Sequence, residues 1–138
     1  MTEVFLDTSY AVALVAPKDP HHLQAVKLAA DFERRGTRLV TTRAITLEIG
    51  NALSRVRYRA LGVELLKFLE TDPRVEIIPL SEDLYRKGFE MFRRRADKEW
   101  GLVDCTSFVV MQDRGLLESL TTDEHFEQAG FRALLLEA

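Results

Sequence analysis

Cysteine is almost missing from this chain: one thiol, Cys105, stands in 138 residues. An internal disulfide is therefore excluded, and the reduced state fits a cytoplasmic protein. Only three histidines accompany it, too few and too scattered for a Cys/His zinc cluster. Long apolar runs are missing as well; the longest fall far short of the roughly 20 residues a membrane-spanning helix requires. The first residues carry no basic leader and enter a strand directly, so no signal peptide is expected. No linker, repeat or low-complexity tract interrupts the sequence, so residues 1–138 are expected to form one domain. Finally, there is no excess of positive charge: the formal net charge is −3. That is unusual for a nucleic-acid binder, but distribution matters more than the sum. Basic groups gather at Arg34-Arg35, Arg55-Val56-Arg57-Tyr58-Arg59 and Arg93-Arg94-Arg95. These read first as solvated helix faces and second as a rim for phosphates.

What is present is a chain with 46% apolar residues, enough for a substantial core, in which strand and helix signals alternate. The pattern predicts strands at 3–6, 38–41, 75–80, 117–121 and 132–136. Between them it predicts helices at 10–15, 20–35, 43–55, 60–70, one capped by Ser81, 102–112 and 123–128. Asp19-Pro20 reads as an N-cap followed by proline in the first turn. Such alternation implies an α/β fold, with a parallel sheet and helices on both faces. Ligands of such sheets gather beyond the carboxyl ends of the strands.

Four carboxylates fall near that edge. Asp7 ends the first strand and Asp123 follows the fourth. Glu48 lies in the helix after the second strand, and Asp104 opens the apolar helix of Leu102-Val103-Asp104-Cys105-Thr106-Ser107. Each sits in or beside apolar sequence, where a charge is costly unless paired or bound to a metal. No run of buried Lys or Arg matches them, so a divalent cation held by oxygen ligands, Mg²⁺ or Mn²⁺, is the expected partner. Taken singly, each acid has a plainer reading: Asp7, Asp104 and Asp123 as helix caps, Glu48 as a solvated helical residue. Convergence on one edge favours the metal. Ser9 can support Asp7. Ser107 and Asn51, one turn beyond Asp104 and Glu48, can support those acids; Ser107 can equally bond within its own helix. His125 is weak evidence for acid–base catalysis by itself. Trp100 reads as a cap over the core, and Cys105 as a buried, inert thiol.

The segments Phe5-Leu6-Asp7-Thr8-Ser9, Thr46-Leu47-Glu48-Ile49-Gly50-Asn51, 97–108 around Trp100-Gly101-Leu102-Val103-Asp104, and 120–131 around Thr121-Thr122-Asp123-Glu124-His125-Phe126 together resemble the PIN-domain nucleases. Within that family they resemble the VapC-type toxins of toxin–antitoxin pairs. The resemblance runs over nearly the whole chain, and all four family acids have counterparts. It implies a three-layer α/β/α fold with a five-stranded parallel sheet, and a Mg²⁺- or Mn²⁺-dependent endoribonuclease. It also implies a homodimer and a small antitoxin that silences the enzyme. Asp7 and Asp104 become the main metal ligands, with Glu48 and Asp123 completing the catalytic pocket. Hydrolysis at such a site leaves a 5′-phosphate and a 3′-hydroxyl and needs no 2′-hydroxyl, so RNA preference rests on shape and contacts.

Other phosphate chemistries fit less well. A haloacid-dehalogenase-type phosphatase wants a second Asp where Ser9 stands. A response-regulator receiver wants an acidic pair after the first strand, and no phosphate-cradling G-x-x-x-x-G-K-[ST] motif occurs. Two alternatives survive: a non-catalytic RNA-binding or protein-interaction module of the same fold, and a PIN-type RNA-processing nuclease that is not a toxin.

Overall fold

The computed structural model describes residues 2–137. Five short strands, β1 (Glu3–Leu6), β2 (Arg38–Thr42), β3 (Val75–Ile78), β4 (Glu118–Leu120) and β5 (Arg132–Ala133), pair in parallel in the order β3-β2-β1-β4-β5. Seven α-helices connect them: α1 (Thr8–Val15), α2 (His22–Arg35), α3 (Arg43–Ala52), α4 (Val56–Thr71), α5 (Glu82–Arg94), α6 (Leu102–Arg114) and α7 (Glu124–Gln128). The β1-to-β2 and β2-to-β3 crossovers step one way along the sheet, and the later ones step the other way. Right-handed crossovers therefore place α1–α4 on one face and α5–α7 on the other. The helix contacts agree, with α1 against α2, α3 and α4, and α6 against α5 and α7. This is the expected α/β/α fold. The direction of winding reverses between β1 and β4, so a crevice opens at their carboxyl ends.

Burial follows the predicted pattern. Val4, Phe5 and Leu6 are almost wholly covered, because a central parallel strand is packed on both faces. α6 is buried from Cys105 to Met111. An aromatic chain lies under the switch point: Trp100 meets Phe108 edge-on at 5.0 Å, Phe108 meets Phe126 edge-on at 4.9 Å, and Phe126 reaches Phe5 at 6.2 Å. Phe5 lies two residues before Asp7, Phe108 one turn after Asp104, and Phe126 directly after His125. Each buried ring contributes about 1.5–3 kcal/mol by leaving water, and the same rings fix the segments that carry the acids. Gly88 allows α5 to approach α6; a β-carbon there would stand 2.5 Å from Cγ2 of Thr106.

Several boundaries differ from those the sequence predicts. α2 starts at His22 rather than Pro20, because Asp19 makes a turn, accepting from the backbone N–H groups of His21 and His22. The helix predicted over 43–55 ends at Ala52, and α4 begins at Val56 rather than Ala60. The last strand stops at Ala133, and Leu134–Leu136 form a 3₁₀ turn. Ser81 caps α5, accepting from the Leu84 N–H at 3.0 Å. Among the described residues no helix is long and apolar enough to cross a membrane.

Candidate active site

Asp7 follows β1 directly and, among the described residues, is the one buried side-chain carboxylate, 7% exposed. It holds the N-cap position of α1, yet its side chain makes no capping bond. Instead Oδ2 accepts two hydroxyls, from Thr121 at 2.8 Å and from Ser9 at 3.0 Å. Each hydroxyl in turn accepts a backbone N–H from the segment after β4: Ser9 from Thr122 at 2.9 Å, Thr121 from Asp123 at 2.9 Å. With both hydroxyl protons directed at Asp7, each of the two side chains is used as donor and acceptor. The β1 and β4 ends are thereby sewn together, and no side-chain bond falls on Oδ1 of Asp7. Burial pushes the Asp7 carboxyl up to about 6 against the pull of these hydrogen bonds, and the negative charge of Asp104 adds to the rise.

The other acids come to this end of the sheet from α6, from the segment after β4 and from α3; Asp7 and Glu48 are not part of the group whose ligand atoms lie together. Asp104 sits in the first turn of α6, where its Oδ2 accepts the Gly101 N–H at 3.0 Å. That satisfies an orphan donor of the helix end, as the capping reading expects. The same oxygen lies 3.1 Å from Nδ1 of His125, while Oδ1 of Asp104 has no hydrogen bond. Burial raises the Asp104 carboxyl above the ordinary range; the Gly101 and His125 contacts oppose this, and the charge of Asp123 reinforces it. Asp123 caps α7 through the His125 N–H at 2.9 Å, and its Oδ1 is 3.3 Å from Nδ1 of His125. Asp104, Asp123 and His125 each offer a ligand atom within 4.8 Å of the others. Glu48 arrives from α3 and accepts the Thr8 hydroxyl at 2.8 Å, which ties it to the residue after Asp7.

The predicted supports behave differently from one another. Ser9 bonds Asp7. Ser107 is fully buried, and its hydroxyl has no partner among the described residues. Asn51 is exposed; its main-chain carbonyl accepts the Ser54 hydroxyl, and its side-chain amide has no hydrogen bond among the described residues. Cys105 is buried, and burial raises its thiol pKa. The sequence offers Thr8, like Ser9, as a helix cap or a support for Asp7, and its hydroxyl bonds Glu48 instead; two groups at the site have no such reading, Thr121 and, as a neighbour of two acids, His125. His125 carried a local signal, two residues after Asp123 at the start of a helix. Thr121 carried none, since its partner lies 114 residues away.

A hard cation fits this donor set. Asp104, Asp123 and His125 bring ligand atoms together, and burial makes Asp7 and Asp104 hold their protons unusually tightly, which is the environment a divalent ion relieves. The PIN domain model matches residues 4–132, almost the whole described chain. The chain belongs to the PIN-domain family. Within that family it is of VapC type. It is 31% identical over 129 residues to the 23S rRNA-specific endonuclease VapC20 of Mycobacterium tuberculosis, in both strain CDC 1551 / Oshkosh and strain H37Rv, covering 93% of this chain and 95% of that one. The crystal structure of M. tuberculosis VapC20, a sarcin-ricin-loop-cleaving toxin, superposes with a TM-score of 0.82 at 26% identity, covering 93% and 95% of the two chains. VapBC2 from Rickettsia felis, bound to a DNA fragment from its promoter, shares the fold with a TM-score of 0.65 at 13% identity, over 96% and 97% of the chains. PIN-domain nucleases are hydrolases that generally use divalent metal, and this chain is such a nuclease.

Proposed function

We propose that residues 1–138 act as one unit, a Mg²⁺- or Mn²⁺-dependent endoribonuclease that serves as the toxin of a toxin–antitoxin pair in the cytoplasm. The observation that carries this is the set of acids at the β1/β4 switch point, where burial raises the carboxyls of both Asp7 and Asp104 and the ligand atoms of Asp104, Asp123 and His125 lie together. Asp7 and Asp104 are the principal ligands. Asp123 and Glu48 complete the acidic set, and His125 holds Asp104 through Oδ2. A divalent ion bound there lowers the pKa of a water and offsets charge on the phosphate oxygens. Ser9 and Thr121 keep Asp7 oriented, and Thr8 does the same for Glu48. The buried, unpaired Ser107 hydroxyl, one turn from Asp104, is the group available to brace it. The exposed Asn51 amide is available to the RNA backbone. As for VapC20, ribosomal RNA is the first substrate to test.

The enzyme is proposed to work as a homodimer and to be silenced by a small antitoxin that covers the acidic pocket. An arginine from that partner pairing with the carboxylates is sufficient chemistry for inhibition. The purified chain is expected to cut RNA with Mg²⁺ or Mn²⁺, to leave 5′-phosphate ends, and to stop when the metal is chelated. Asp104→Asn, which keeps size and removes a charge, is expected to abolish cleavage while folding normally. Metal-independent cleavage, or full cleavage by the folded variant, refutes the assignment. Cleavage in vitro without growth arrest on expression refutes the toxin role alone and leaves a processing nuclease.

A further inference from the structure

Next to the segments that carry Asp104 and His125 lies a cleft of about 430 Å³, lined by Arg94, Arg95, Gln112 and Gln128 and by an apolar wall of Trp100, Met91, Phe108 and Ala129. It shares its elements with the acids. Trp100 directly precedes Gly101, whose N–H binds Asp104, and Gln128 lies one turn along α7 from His125. Three residues along α7 separate His125, which contacts Asp104, from Gln128, which contacts Trp100.

The cleft has a defined chemistry. The indole N–H of Trp100 can only donate, and it donates to Oε1 of Gln128 at 3.0 Å. The amide of Gln128 is therefore oriented, and its NH₂ is left as a donor. The Arg95 guanidinium lies 4.9 Å above the Trp100 ring. Its edge is held by both oxygens of Asp97, at 3.0 and 3.1 Å, so a flat cation is fixed over an aromatic floor. Arg94 has one carboxylate neighbour among the described residues, Glu90 at 3.8 Å, beyond hydrogen-bond length. Its guanidinium makes no hydrogen bond among the described residues. The Arg95 charge is offset by Asp97, so the donors left to a ligand are those of Arg94 and the Gln128 NH₂; with the exposed face of the Arg95 plane they suit a planar, acceptor-bearing anion. A nucleotide is such a group, and arginine planes are common stacking partners for unpaired bases. The volume is that of a small-molecule site.

We propose that this cleft binds a nucleotide flanking the scissile bond of single-stranded RNA, its base stacked on Arg95 over Trp100 and its edge read by the Gln128 amide. The assignment rests on the ribonuclease reading and adds a specificity-determining subsite to it.

Trp100 is the only tryptophan, so its emission reports on this cleft. The test titrates the full chain, in chelator, with single-stranded RNA hexamers of each base and with linear polyphosphate of the same length. Binding is followed in parallel by anisotropy of labelled RNA. RNA is expected to change Trp100 emission saturably, and polyphosphate is not. Arg95→Met, which keeps apolar cover over the indole, is expected to weaken RNA binding about tenfold, the size of one lost stacking contact. In Mg²⁺ it is expected to raise KM while leaving kcat nearly unchanged. Gln128→Leu is expected to alter the ranking of the four hexamers. RNA binding that leaves Trp100 emission unmoved, an equal response to polyphosphate, or unaltered affinity in a folded Arg95→Met protein overturns the subsite. A wild-type chain that cleaves RNA but shows any of these results loses only the subsite; one that neither binds nor cleaves any RNA loses the ribonuclease reading with it.

Discussion

Asp7 offers the sharpest test of the metal pocket, because its cost in the metal-free protein can be worked out. Folded, the carboxyl keeps its proton up to about pH 6; its ordinary value is 3.8. Between those values the folded chain binds more protons than the unfolded one, so this group makes stability fall as pH rises from about 4 to 6, and level off above. A shift of about 2 units at 1.36 kcal/mol per unit gives roughly 3 kcal/mol. Asp7→Asn removes the charge and keeps an oxygen to accept the Ser9 and Thr121 hydroxyls. In chelator at pH 7 the variant is expected to be more stable than wild type by up to about 3 kcal/mol, on the order of 10 °C in melting temperature. At pH 4 the difference is expected to vanish. The comparison has to be a difference between the two proteins. Asp72 and Glu76, whose carboxyls are held low by hydrogen bonds from Arg74 and Arg114, impose the opposite slope on both. Saturating Mg²⁺ or Mn²⁺ is expected to reverse the order, since it stabilises only the chain that keeps the ligand. Urea melts at a series of pH values, with and without metal, measure all of this. A variant no more stable than wild type at pH 7 without metal refutes the claim that Asp7 is a buried, destabilising charge awaiting a cation.

Other perturbations separate support from chemistry. Thr121→Val preserves shape but leaves the buried Asp7 and the Asp123 N–H short of a partner. It is expected to cost about 1–3 kcal/mol in urea melts and to lower metal affinity by about 10–100-fold in calorimetry. Gly88→Ala is expected to destabilise by about 1–3 kcal/mol, because its β-carbon meets Thr106 of α6; a neutral result in thermal melts shows that α5 can move away freely. Phe108→Ala opens a cavity between Trp100 and Phe126 and is expected to cost about 3–5 kcal/mol. Trp100, buried in the native chain, is expected to emit at shorter wavelength than solvated indole, and in the folded variant its emission is expected to move toward the solvated value.

The sequence by itself determined the α/β class and the order of its elements, and it pointed to the four acids as candidates. These are local properties: apolar periodicity, proline and glycine stops, and Ser81 or Asp123 before a helix. It also identified Ser9 as the support of Asp7, two residues away. Boundaries followed less closely where competing turns were available, as at Asp19-Pro20, where side-chain and backbone bonds made a turn before α2 began. What only tertiary structure decided is which groups meet. Thr121 reaches Asp7 because β1 and β4 are neighbours, a pairing between residues more than a hundred positions apart that no spacing encodes. The aromatic chain beneath the site seats α7 so that His125 stands between Asp104 and Asp123. Ser107 and Asn51 share the helical spacing of good supports, yet one is buried without a partner and the other faces solvent. Helical spacing sets the direction in which a side chain points. Whether it finds a partner depends on what the rest of the fold places there.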